Sequence, residues 1–563
     1  MNNKELEWEI LDKKGIKGTT GIKRIIDILL NNRGVKTKKE KSEFFKPTKP
    51  QDLGIKELGI SDESLKKAIE RIKKAIKKDE EMVIYGDYDA DGICATAILW
   101  ETLYSLTKNV KPYIPNRFEE GYGINAKSIE NIKVQNPNVK LIMTVDNGIV
   151  ANKAVDAAYK LGIDVIISDH HQIGRKLPKA YSIIHTDKIS GSGIAWILSR
   201  ELNKKLITNH QSLITNLELA AIGTIADQLP IIGPNRSFAK YGLEALNLTQ
   251  RPGLLALFEE AGLTLQGRTL QHVMGTYDVN FVIAPRINAM GRMEHAIDSL
   301  RLLCTKNIEK ARELAQILGR TNRERQRVVD EVVLHARELA QKTTWKGAIV
   351  LAHESYHEGV IGLAASKLVE EFYRPVVVLS KGEKISKASA RSITGFNIIE
   401  SIRKLDSITL GGGGHPMAAG FSIETVNIEL FTKKIEEVSA PLLTEDILTK
   451  RLKIDMESEF ENIDSQLYEK LSEFEPTGIG NTTPVFITRK VRIVDARTVG
   501  RDAKHLRLTL EKGGRILNAI AFGKGEIFPK LSPNKKIDMA YNITADTWNG
   551  NKSLQLKVKD IRI

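Results

Sequence analysis

The stretch Tyr85-Gly-Asp-Tyr-Asp-Ala-Asp-Gly92 sets Asp87, Asp89 and Asp91 at alternate positions, between the apolar run EMVIYG and the apolar segment ICATAILWETLYSL. Three like charges so placed repel one another unless a cation neutralises them. The same spacing, with its following glycine, also opens a calcium-binding EF-hand loop. That loop needs a bidentate glutamate at its twelfth position, and the residue there is Ile98, which excludes it. Two further apolar runs end in comparable residues: VKLIMTV leads into Asp146-Asn147-Gly148, and IDVIIS into Asp169-His170-His171. Asp227 follows the apolar ELAAIGTIA. Any one of these alone reads as a helix cap or a turn; together they read as one divalent-cation site. Carboxylates and imidazoles without thiolates suit Mn2+ or Mg2+ better than a structural zinc. Two such ions about 3.5–4 Å apart, bridged by a carboxylate, activate a water and stabilise a leaving oxygen. The chemistry expected is metal-assisted phosphodiester hydrolysis.

The elements that must position these residues follow from the alternation of apolar runs with helical segments from residue 81 onward. It predicts a parallel α/β sheet, whose ligand crevice lies beyond the carboxyl ends of its strands. Residues 306–342, free of proline and dense in Glu, Arg, Gln and Ala, predict a long exposed helix connecting two domains. A second α/β pattern ends in four glycines, Gly411 to Gly414, before His415, where backbone N–H groups can approach an anion. Five short apolar-alternating runs between 484 and 563 predict a small barrel of the OB type. The expected fold is therefore two α/β domains joined by a long helix, plus a C-terminal OB-fold β-barrel. The expected boundaries are a basic N-terminal extension packed on something larger (1–78), a catalytic domain (79–235), a helical region with the connector (236–342), a substrate-binding domain (343–448) and the OB domain (449–563).

Composition narrows the partners. The chain has 563 residues, 42% apolar and 27% charged, the balance of a multidomain globular protein. With two cysteines, no apolar run near the ~20 residues that span a bilayer and no signal-peptide pattern, a cytoplasmic setting without membrane contact is expected. The net charge of +14 is uneven: residues 1–80 carry +7 and residues 481–563 carry +10, which leaves the 400 between them at −3. Basic ends around a slightly acidic middle point to a polyanion held on either side of a central chemical site.

The motifs Asp-Tyr-Asp-Ala-Asp-Gly, Thr-Val-Asp-Asn-Gly, Ser-Asp-His-His and Ile-Ala-Asp, in this order, resemble those of the DHH phosphoesterases. Ala284-Pro-Arg-Ile-Asn-Ala-Met-Gly-Arg292, Ser389-Ala-Arg-Ser392, Gly411-Gly-Gly-Gly-His415 and Pro476-Thr-Gly-Ile-Gly-Asn481 resemble motifs of its RecJ branch, over roughly residues 20–563. The resemblance implies a 5′-to-3′ exonuclease on single-stranded DNA, serving repair and recombination, with two Mn2+ or Mg2+ ions in a cleft between a DHH domain and a DHH-associated domain. It implies Asp89, Asp91, Asp146, His170 and Asp227 as metal ligands, with Asp146 as the bridge. Asp87 would be a ligand or a base, His171 would contact the scissile phosphate, and Arg286, Ser389, Arg391 and His415 would hold the terminal nucleotide or its phosphate. A monomer is expected, with single-strand binding protein and a helicase as candidate partners. One residue departs from the pattern: many DHH relatives have histidine where this chain has Tyr85, which leaves one metal site weaker or completed by Asp87. In the barrel, Phe486, Phe522, Tyr541 and Trp548 lie among Arg489, Lys490, Arg492, Arg497, Arg501 and Lys504, the mixture that single-strand binding uses, but at least half such aromatics should be core, so none is singled out as a binding residue. The competing readings are a hydrolase of cyclic dinucleotides, very short oligonucleotides or pyrophosphate, which needs neither a basic extension nor an OB domain, and a non-catalytic scaffold, which need not retain its carboxylates.

Overall fold

In the computed structural model the described residues are 6–12, 21–206, 216–263, 265–266, 269–270, 273–546 and 553–563. Five strands form the first sheet in the order Val110–Tyr113, Glu81–Tyr85, Val139–Val145, Asp164–Asp169, Ser182–His185. Every pairing in it is parallel. The central strands are continuous apolar runs because both their faces are covered. Met82, Ile84, Leu141, Met143 and Ile166 pack toward helices Ala90–Leu106, Gly191–Leu206 and Leu217–Ala226. Val83, Tyr85, Ile142 and Val165 pack on the opposite face, toward helices Ala126–Gln135 and Asn152–Lys160.

The connector is the helix Ile308–Gln341, 34 residues long and so about 50 Å at 1.5 Å per residue. Its expected exposure holds for one side only. Ala311, Leu314, Ala315 and Leu318 enter the core of the first domain, and Val329, Val332, Val333 and Ala336 enter that of the second. A single rigid element thus contributes to both cores and fixes the cleft between them.

The second sheet runs Thr409–His415, Ala418–Glu424, Ile385–Arg391, Val376–Ser380, Ile349–His353, and only its last pair is parallel. The glycine tract is therefore an edge strand and not a loose turn. In the C-terminal domain, strands Phe486–Val499, His505–Lys512, Arg515–Ala521, Lys536–Asp546 and Ser553–Arg562 close into a barrel through the pairing of the first with the fourth.

Residues 1–78, expected to pack on something larger, divide between two cores. Ile25, Leu29 and Leu30 of helix Ile22–Asn32 lie in one core with Met456, Phe460 and Phe474 and with the barrel residues Phe486 and Tyr541, whereas Leu65, Ile69 and Ile72 of helix Asp62–Lys77 belong to the first domain. Arg236, fully buried on helix Gly233–Asn247, joins these parts. It donates to the carbonyls of Phe44 (2.6 Å), Phe474 and Pro476 (3.0 Å each), Glu473 (3.1 Å) and Glu475 (2.9 Å). Burial lowers its pKa to about 10, and the five carbonyls stand in for a counter-ion.

Candidate active site

The carboxyl ends of three adjacent strands bring the acidic motifs together. Asp87 leaves the strand Glu81–Tyr85, Asp146 follows Val139–Val145, and His170 follows Asp164–Asp169. Asp89 caps the helix Ala90–Leu106, accepting the Gly92 N–H at 3.0 Å. Asp91 accepts the Gly191 and Ser192 N–H groups at 2.7 and 3.0 Å. Two glycines permit this crowding: a Cβ on Gly191 would stand 2.5 Å from Asp146 Oδ1, and one on Gly223 would stand 2.2 Å from Asp91 Oδ1. Asp146 is in the left-handed region at φ 63°, a conformation that costs free energy for a residue with a side chain and clusters at functional positions.

The result is three overlapping groups whose ligand atoms lie within 4.8 Å of one another: Asp87, Asp89 and Asp146; Asp91, His170 and Asp227; Asp146, His170 and His171. His170 Nε2 lies 3.1 Å from Asp146 Oδ1 and 3.6 Å from Asp227 Oδ2. The His170 nitrogen and the Asp146 oxygen are buried without a hydrogen bond, so the donor set fits divalent cations on the chain's own geometry. Its electrostatics agree. Burial, and then Asp89, raise the pKa of Asp87 well above the usual carboxyl range. Burial and neighbouring aspartates also raise the pKa of Asp89, raise that of Asp146 well above that range, and take Asp227 to about 8. Burial lowers the pKa of His170, favouring the neutral imidazole that a metal requires.

His171 behaves differently. Burial opposes its charge, yet the hydrogen bond from Nδ1 to Asp169 Oδ1 at 2.7 Å prevails and lifts its pKa to about 9. Asp169 is itself anchored by the Ile149 N–H at 2.8 Å and the His170 N–H at 2.7 Å. The other imidazole nitrogen meets the Tyr122 hydroxyl at 3.1 Å. Tyr85 takes no part: its hydroxyl donates to Gly123 O at 3.2 Å and its ring stacks on Tyr113, on the far face of the sheet from the helix that carries the acids.

Across the cleft, a cavity of about 1060 Å³ joins His171 and Asp169 to Ser389, Arg391, the glycine strand and His415 of the second domain. Arg117 and Arg292 line it as well. Burial and then Arg117 and Arg391 lower the Arg292 pKa to about 10. Arg391 donates to Ser389 Oγ (3.0 Å) and Ala390 O (2.8 Å). Among the described residues no carboxylate pairs with Arg117, Arg292 or Arg391; this unneutralised cationic group suits an anion. Arg286 is set apart. It binds Glu260 Oε2 at 2.7 Å and Val282 O at 2.9 Å and is absent from the cleft lining, so its motif reaches the cleft through Arg292 instead.

On the barrel, Phe486 and Tyr541 are core, whereas Phe522 is 54% exposed with the Lys557 ammonium 5.4 Å from its ring centroid. Trp548 lies outside the described residues. Arg489 and Arg492 are ion-paired, with Glu457 and Asp538 and with Glu511 respectively. Arg497 faces Arg507 across neighbouring strands, and Lys557 faces Ile520 further along the same row. Like charges directly opposite each other oppose strand pairing, and among the described residues neither arginine has a carboxylate partner.

Sequence reasoning missed Asp169, Arg117, Arg292 and Tyr122. Asp169 and Arg292 lie inside motifs already singled out. Arg117 and Tyr122 sit in the loop PNRFEEGYG, whose composition carries no signal.

Three family models match in succession: the DHH family N-terminal domain over 81–224, the DHHA1 domain over 346–440 and the RecJ OB domain over 454–560. These define a phosphoesterase of the DHH class that carries an added OB domain. The chain is 35% identical over 99% of its length, and over 71% of the relative's, to the single-stranded-DNA-specific exonuclease RecJ of Bacillus subtilis. It is 30% identical to that of Escherichia coli over 95% of both chains. The crystal structure of RecJ in complex with Mn2+ from Thermus thermophilus matches 99% of this chain and 80% of that one, with TM-score 0.81 and 26% identity. The chain belongs to the RecJ family.

Proposed function

We propose that this chain hydrolyses single-stranded DNA from its 5′ end, as a metal-dependent exonuclease in DNA repair and recombination. The metal would be Mn2+ or Mg2+, as two ions: Asp87, Asp89 and Asp146 would hold one and Asp91, His170 and Asp227 the other, with Asp146, which also groups with His170, placed between them. Bound there, the ions supply a nucleophilic water and offset negative charge on the phosphate. The chain's own groups do the rest. His171, protonated at neutral pH and oriented by Asp169, donates a hydrogen bond to the scissile phosphate. Arg391, Ser389, Arg117 and Arg292, with His415 and the edge-strand amides, anchor the terminal phosphate across the cleft and so bring the first phosphodiester to the acids. Arg286 supports this group from outside the cleft. The barrel retains the strand beyond the cleft, through Phe522 and the row of Arg497, Arg507 and Lys557.

The observation that carries this reading is the acidic and imidazole cluster, with Asp146 Oδ1 and His170 Nε2 buried without a hydrogen bond, sharing one cleft with arginines that form no ion pair among the described residues. Among the described residues no helix is long and apolar enough to cross a membrane. A cytoplasmic monomer acting with single-strand binding protein and a helicase completes the proposal. A 3′-labelled single strand incubated with Mn2+ should shorten stepwise from its 5′ end, and a chelator should stop it. Equal cleavage of blunt duplex, or shortening from the 3′ end, would refute the proposal.

A further inference from the structure

Asp89 belongs to one ligand group and Asp91 to the other, and only Ala90 separates them. Whatever fixes the Ala90 peptide therefore fixes the two groups relative to each other. Ala90 is 1% exposed, and its N–H lies in the first turn of the helix Ala90–Leu106, where the helix offers it no acceptor. The Asp89 carboxylate is turned to Gly92. The acceptor comes from 198 residues away: Asn288 Oδ1 takes the Ala90 N–H at 2.6 Å. Only the oxygen of an amide can accept from an N–H, so the orientation of the Asn288 side chain is set by this bond.

The segment that carries Asn288 is itself held firmly. Helix Ala284–Met293 packs against the acidic loop so closely that a Cβ on Gly291 would stand 2.7 Å from Tyr88 O. Arg286, two positions before Asn288 on the same helix, shares the Glu260 carboxylate with Arg323 of the connector helix, at 2.7 and 2.6 Å. The connector thus braces the helix, and the helix braces the loop.

We infer that Asn288 is a positioning residue that sets the separation of the two metal sites by holding the Ala90 amide. This rests on the two-metal reading above. The side chain acts through Asp89 and Asp91 and need not touch substrate. Removing an outer hydrogen-bond partner of a metal ligand typically weakens metal affinity by about 10–100-fold, and a loss in that range is expected for both ions, because the peptide lies between their ligands.

The test is Mn2+ binding to the full chain, read by electron paramagnetic resonance of free Mn2+, for wild type, Asn288→Ala and Asn288→Asp. The aspartate keeps an oxygen for the Ala90 N–H. Asn288→Ala should bind Mn2+ about tenfold or more weakly while binding a single-stranded oligonucleotide in chelator as wild type does, and Asn288→Asp should recover most of the Mn2+ affinity. Unchanged Mn2+ binding by the alanine variant would overturn the inference. So would an aspartate variant that folds yet binds Mn2+ poorly, and this arm decides the matter should the alanine variant fail to fold. A wild-type chain that binds no Mn2+ would instead sink the two-metal reading, which keeps the two failures apart.

Discussion

Arg391→Ala should separate end recognition from both fold stability and general DNA affinity. The guanidinium is half-buried beside Ser389, with Arg117 and Arg292 as like-charged neighbours. Burial, and then Arg117, already lower its pKa, so the free enzyme holds this charge at a cost. Removal relieves that repulsion and loses only the bonds to Ser389 and the local Ala390 carbonyl. The melting temperature should therefore stay level or rise. Against a terminal phosphate the balance reverses: a hydrogen bond to a charged group contributes about 1.5–3 kcal/mol, or about 10–150-fold in kcat/KM. The loss should fall on 5′-phosphorylated strands, with 5′-hydroxyl strands affected several-fold less. Steady-state degradation of the two substrates, alongside thermal unfolding in the presence of chelator, measures both halves. Equal losses on both substrates, or a marked fall in melting temperature, would refute the argument and make Arg391 a structural residue.

Asp146→Ala should abolish hydrolysis under saturating Mn2+ and leave oligonucleotide binding measurable, since it removes a carboxylate that belongs to two ligand groups but none of the cations that line the cleft. Near wild-type turnover would disprove the assignment. With Asp227 raised to about 8, metal must displace a proton at neutral pH, so Mn2+ affinity should climb from pH 6 to pH 8 with proton uptake by buffer visible in calorimetry. Conversely, the metal-free fold binds more protons than the unfolded chain between about pH 4 and 8, so its stability should fall across that interval as pH rises; a flat profile would contradict the raised carboxyl values. Arg497→Glu combined with Arg507→Glu should reduce single-strand affinity and flatten its salt dependence by about 0.7 per lost phosphate contact, with an unchanged slope assigning that face to solvent.

Much of the fold was legible because hydrophobic periodicity is a local property. The strands Glu81–Tyr85 and Val139–Val145 and the five barrel strands all coincide with apolar runs read from the sequence. The acidic cluster was legible for the same reason, since each member ends such a run. What stayed hidden was long-range. Nothing in IKRIIDILL says that it completes a barrel more than four hundred residues later. Arg286 and Arg292 share one motif, and only packing shows that the first turns to Glu260 and the second to the cleft. The glycine tract looks like a flexible turn because sequence does not reveal the neighbouring strand Ala418–Glu424 that pairs with it.

The helix Ile22–Asn32 also has a consequence for synthesis. At ~5–20 residues per second, its barrel partners, which begin near Met456, leave the ribosome tens of seconds after it does. Throughout that interval Ile25, Leu29 and Leu30 have no core to enter. The nascent chain therefore carries an open apolar stripe at its front while its catalytic domain is already able to fold, an invitation to holding chaperones and a reason for aggregation when expression outpaces them. A product that stops before the barrel never closes that stripe, so premature termination should yield a sticky fragment.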